Sequence, residues 1–239
     1  MTAGPGAAQD RLLTRAELEQ LHEPGMIGLL ELPWIYQSNP DEPQTVSGYA
    51  QPAAESAVLA ILDRQGVRTP AGDRVCGWVR DLDRQAGAPE GCEFLEAGYE
   101  VPAVPVSAAA GDDWYRIQIA GLSESFVWVR SRHRFHSLVE LLAGGEHLTY
   151  LDLRRFDLWL HAEPGGSRTR LQHPAVAQGA REIPYELLAY VISEGRLWLH
   201  VRVLDQVCHA ADPIEVARGW VAAKTTAGDP QAWYWSRGC

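Results

Sequence analysis

Hydrophobic and polar positions alternate most strictly in two stretches of the chain. They are Trp114-Tyr115-Arg116-Ile117-Gln118-Ile119 and Arg196-Leu197-Trp198-Leu199-His200-Val201-Arg202-Val203. A period of two is that of a strand with one buried face, so each stretch predicts a half-buried β-strand. Each is followed by a shorter aromatic-Val segment, Phe126-Val127-Trp128-Val129 in the first half and Gly219-Trp220-Val221 in the second. Each is preceded by an aromatic residue shortly before proline: Tyr49 to Pro52, and Trp159 to Pro164. The same elements in the same order twice predict a mostly-β chain built as two tandem small antiparallel β-barrels.

The remaining pattern fills in the boundaries. Residues 1–45 read as an N-terminal helix and an extended arm. Thr14 and Glu17 have capping-box spacing ahead of Leu18 and Leu21, and Pro24-Gly25 stops the helix. The first barrel is expected over 46–142, with a long insertion at 63–95 that contains one candidate strand, Gly77-Trp78-Val79. Tyr99 to Val106 carries Pro102 and Pro105, which predict an edge strand or a kinked one. The second barrel is expected over 148–239, with a continuous strand from Tyr185 to Ile192 and a closing strand at Trp233-Tyr234-Trp235. The expected connectivity is antiparallel throughout.

With these residues in place, both halves resemble bacterial SH3-type domains. That family opens with aromatic-x-x-Pro, has a hairpin ending in Gly-Asp-Trp-x-x-Val, and closes with Gly-Trp-Val. Tyr49 to Pro52, Gly111-Asp112-Asp113-Trp114 and Val127-Trp128-Val129 are similar to it, as are Trp159 to Pro164, Trp198-Leu199-His200-Val201 and Gly219-Trp220-Val221. The gap from Pro52 to Trp114 is much longer than that from Pro164 to Trp198, so the insertion falls at a loop that borders the family's ligand groove. The resemblance implies a binding or targeting role without hydrolysis. Alternation places Trp114, Arg116 and Gln118 on one strand face, and Trp198, His200 and Arg202 on another. Aromatic side chains with polar tips suit peptide grooves. The ligand-binding candidates are therefore Tyr49, Trp114, Arg116 and Trp128 in one half, and Trp159, Trp198, Arg202 and Trp220 in the other.

Charge narrows the partners. A formal net charge of −10 over 239 residues argues against nucleic acid, whose capture depends on clustered Lys and Arg. No stretch reaches the ~18 consecutive apolar residues of a membrane span, and the first residues lack the charged and apolar regions of a secretory signal. Four cysteines fall two per half. Three pairings are possible, and Cys76–Cys92 with Cys208–Cys239 is expected, one bridge in each half. Disulfides point to the periplasm or cell exterior. Four reduced thiols in the cytosol are the alternative.

No constellation identifies a reaction. His133-x-x-His136 and the Cys208-His209 neighbours lack the spacing of a metal site. There is no Gly-x-Ser-x-Gly elbow and no Asp-Cys-Ser-Gly stretch of the peptidases that accompany SH3-type domains. No metal or cofactor is expected. Three readings stand at this point. The first is a non-enzymatic cell-envelope protein that binds a peptidoglycan stem or bridge peptide. The second is a protein-interaction module, an inhibitor or immunity protein, that uses the 63–95 insertion on a protein partner. The third is a small hydrolase with an unrecognised site.

Overall fold

The computed structural model describes residues 13–21, 24–35, 45–80, 91–111, 113–119, 122, 125–143, 148–206 and 212–236. It is mostly β, with two sheets. The chain divides into two compact units, Met26–His136 and a second formed by Met1–Gly25 with Ser137–Cys239.

The Met26–His136 unit carries β1 (Gly28–Glu31), β2 (Thr45–Tyr49), β3 (Val58–Asp63), β4 (Gly66–Arg68), β5 (Arg74–Cys76), β6 (Trp78–Arg80), β7 (Cys92–Gly98), β8 (Val101–Ala110), β9 (Trp114–Gln118) and β10 (Phe126–Arg130), and ends in β11 (Phe135–Ser137). Their order is β11-β1-β8-β9-β10-β2-β3-β4-β5, with β7 on β8 and β6 on β7. Period-two burial follows the sequence pattern. Tyr115, Ile117, Val127 and Val129 are buried, while Trp114, Arg116 and Trp128 on the alternate face are only half-buried. Removing a side chain such as Ile117 from water contributes about 2–3 kcal/mol. Gly48 belongs to the inward set because a Cβ there would lie 2.8 Å from Val127 Cγ2.

Three expectations change in this unit. The segment read as an arm supplies β1, which lies between β11 and β8. The proline-bearing strand β8 is central, because Pro102 enters as an acceptor: its carbonyl takes the Leu32 N–H at 2.8 Å. β8 carries two register shifts, one against β7 between Glu96 and Gly98 and one against β9 between Val106 and Ala108. Finally, one pair is parallel: Trp78, Val79 and Arg80 run alongside Cys92, Glu93 and Phe94. The expected Cys76–Cys92 disulfide is present, with Cα atoms 5.5 Å apart, and joins the chain at the same end of both strands. Trp78 Nε1 donates to the Asp63 carbonyl at 2.6 Å, and Arg80 reaches the buried Glu96 at 3.3 Å. Cys208 and Cys239 lie outside the described residues.

The other unit contains α1 (Arg15–Glu19), α2 (Leu138–Ala143), β12 (Leu148–Asp152), β13 (Trp159–His161), β14 (Arg168–Arg170), α3 (Pro174–Ala177), β15 (Glu182–Ser193), β16 (Arg196–Leu204), β17 (Glu215–Ala222) and β18 (Ala232–Trp235). α1 starts on the expected capping box: Thr14 Oγ1 accepts from Glu17 N at 3.3 Å, and the Glu17 carboxylate accepts from Thr14 N at 2.8 Å. The sheet order is β14-β13-β17-β16-β15-β12-β18. A two-residue loop, Glu194 (φ 52°) and Gly195 (φ 73°), joins β15 to β16 with both residues left-handed, which matches the twist of the flanking strands. Leu199, Val201 and Val203 of β16 face the core with Ile183 and Val221, and α2 lies against β15 and β18.

Neither strand path returns to its starting strand among the described residues. The structure therefore has two open sheets where closed barrels were expected. β18, expected to close the second barrel, pairs with β12 and ends the path there. Its partner register, Leu148 to Trp235 through Leu151 to Ala232, occupies one edge of β12 while β15 occupies the other.

Candidate ligand-binding site

Each unit presents a half-exposed aromatic face opposite its core. In Met26–His136 this face brings together all four candidates of the first half. Trp128 on β10 is the register partner of both Tyr49 on β2 and Arg116 on β9. Tyr49 meets Trp114 edge to face at 5.3 Å between ring centroids, a contact contributing about 0.5–1.5 kcal/mol beyond burial. Arg116 Nε donates to Ser107 Oγ at 3.0 Å, and its guanidinium lies 4.9 Å from the centroid of the exposed Phe126 ring.

In the second unit the candidates separate. Trp159 and Trp198 line a cavity of about 470 Å³, together with His161 and the arginines Arg155, Arg168 and Arg196. Arg202 and Trp220 share the strand faces of the sheet but are not part of that lining. Arg202 is ion-paired with Glu186 across β15 and β16, and Trp220 is stacked on His200 at 4.9 Å. Trp198 is only 6% exposed, because the His161 ring meets it edge-on at 5.0 Å and the Arg196 guanidinium lies over it at 5.6 Å. It contributes to the lining from a buried position.

The β13–β14 hairpin builds the wall. Gly165 (φ 71°) turns the chain, and Gly166 N donates to the Glu163 carbonyl at 2.9 Å. The resulting register sets His161 opposite Arg168 and Trp159 opposite Arg170. Arg168 and Trp159 therefore lie diagonally on one face, and the guanidinium sits 4.6 Å from the Trp159 ring centroid. Arg196 starts β16 beside the β15–β16 turn and donates to the Lys224 carbonyl at 3.1 Å. His161 Nδ1 is 3.0 Å from the Gly166 carbonyl. A carbonyl only accepts, so Nδ1 carries the proton and Nε2 of the neutral ring is left as an acceptor.

Two groups near this face have shifted acidities. Burial, reinforced by the nearby Arg218 charge, lowers the His200 pKa from its ordinary value of 6.5, so the ring stacked on Trp220 is neutral at pH 7. Asp152, beside the cavity residue Arg155, is drawn upward by burial. Hydrogen bonds from Arg154 and the charges of Arg154 and Arg155 outweigh that and hold its carboxyl below the ordinary range. The site can therefore offer flat aromatic surface, fixed guanidinium donors and one imidazole acceptor.

Sequence reasoning found Trp159 and Trp198 but missed Arg168, Arg196, Arg155 and His161. The signal for Arg168 was the Gly165-Gly166 turn between Trp159-Leu160-His161 and Arg168-Thr169-Arg170, which is a hairpin pattern with an aromatic on one arm and arginines on the other. No local signal brings Arg196 to the same place. Among the described residues no group of three or more His, Cys, Asp or Glu side chains is positioned to hold a metal, and His136 is paired with Glu31 at 2.6 Å. Comparison with models of protein families, with curated proteins and with solved structures finds no match.

Proposed function

We propose that this chain is a non-enzymatic binding protein of the cell envelope that recognises peptide, a cell-wall stem or bridge peptide, on the aromatic faces of two SH3-like units. The carrying observation is the cavity of about 470 Å³ lined by Trp159, Trp198, Arg168 and His161. Its size falls within the roughly 300–1,000 Å³ of small-ligand sites, and its mixture of aromatic walls with a few fixed polar groups is that of a recognition site. The half-exposed Tyr49, Trp114, Arg116 and Trp128 face supports the same reading in the other unit. The Cys76–Cys92 disulfide supports an oxidising compartment. The SH3-like assignment rests on the sequence motifs.

The test is co-sedimentation of the oxidised protein with purified peptidoglycan sacculi, followed by titration with soluble muropeptides for the wild type and for Trp159→Ala and Trp114→Ala. Saturable binding weakened about tenfold by either substitution, with the melting transition retained, is the expected result. Absence of binding, or affinity unchanged in both variants, overturns the proposal.

A further inference from the structure

The charges lining the cavity go further than aromatic recognition. In a chain of net charge −10, three arginines, Arg155, Arg168 and Arg196, converge on one concavity whose described lining includes two acids, Asp157 and Glu194. Counted on arginines and acids alone, three against two, the lining carries one net positive charge. Arg155 is partly engaged, with Nε 3.9 Å from Asp152. Arg168 is different. It comes from an exposed strand and makes no ion pair with any described carboxylate, and its guanidinium is held over Trp159. A guanidinium stacked by one face keeps its in-plane N–H donors, which match the two oxygens of a carboxylate.

The geometry points to a subsite for the single free C-terminal carboxylate of the bound peptide, with Arg168 as the principal donor and Arg196 as its neighbour; this rests on the peptide-binding reading above. One net positive charge balances one carboxylate. A dianionic phosphate would be left with excess charge facing Asp157 and Glu194. The hydroxyls of Ser193, Thr225 and Thr226 and the His161 acceptor serve the amide groups of the last residues. The volume admits the end of a chain rather than a folded partner.

The experiment uses calorimetric titration of the full-length oxidised protein with two peptides. One is a pentapeptide of stem-peptide sequence whose only carboxylate is its C-terminus, and the other is the same peptide as its C-terminal amide. The free acid is expected to bind about tenfold more tightly than the amide, because a charge-assisted pair is lost from a partly exposed site. Arg168→Gln is expected to abolish that preference, bringing the affinity for the acid down to that for the amide measured with the same variant, and its melting transition reports folding. Equal affinity for acid and amide in the wild type overturns the carboxylate subsite and leaves peptide binding standing. A preference that persists in Arg168→Gln overturns the assignment to Arg168. No heat with either peptide overturns both the subsite and the reading it rests on.

Discussion

Replacing both Cys76 and Cys92 by alanine tests how the parallel β6–β7 pair is held. The bridge spans 16 residues of sequence. Freeing a loop of that length gives the unfolded chain about 10 cal/mol/K of entropy, or about 3 kcal/mol at 25 °C. Little of this is recovered in the native state. Among the described residues β6 and β7 share three register pairs and the Arg80–Glu96 ion pair at 3.3 Å, and the Trp78 Nε1 bond to the Asp63 carbonyl anchors one strand without touching the other. Both cysteines are buried, so the truncation also removes contacts from the interior. The expected loss is therefore about 2–4 kcal/mol, a large fraction of the stability of a unit this small. Urea denaturation followed by tryptophan fluorescence, with C76A/C92A set against the oxidised wild type, reads it directly. A loss under about 1 kcal/mol would refute the reasoning, since the bridge would then be closing a loop already restrained by other contacts.

Two further outcomes follow from local geometry. Gly228 (φ 95°) and Gly25 (φ 88°) pack backbone to backbone, and a Cβ on Gly228 would lie 2.7 Å from the Pro24 carbonyl carbon. Gly228→Ala should cost at least about 2 kcal/mol through left-handed strain plus the clash, and a change within 0.5 kcal/mol in urea titration would contradict this. The His200 ring should titrate below 6.5 when its ring C–H resonances are followed by NMR. The folded form then takes up its proton later than the unfolded chain as pH falls. This residue's contribution to stability is present above about pH 6.5 and declines below it, and a midpoint at or above 6.5 would sink the assignment.

The division between legible and illegible features follows the range of the interactions involved. Alternation is local, so the faces of β9, β10 and β16 could be read directly: Ile117, Val127 and Leu199 inward, Trp114, Arg116 and His200 on the alternate face. The capping box of Thr14 and Glu17 closes within four residues and was legible for the same reason. The Cys76–Cys92 pairing was read from an even count that falls two per half of the chain.

Sheet order was not legible, because which strand pairs with which depends on contacts between distant segments and leaves no trace in period-two patterning. Backbone hydrogen bonds look alike for any neighbour, so nothing in Gly28–Glu31 announces that it will lie beside β8, and nothing in Ala232–Trp235 that it will end a sheet instead of closing one. The cavity depends on the same long-range choices. The residues themselves determined that Trp159, Arg168, Arg196 and Trp198 would lie on hairpins with definite faces. Only the tertiary order β14-β13-β17-β16 brought two hairpins close enough for their arginines and tryptophans to line one concave site.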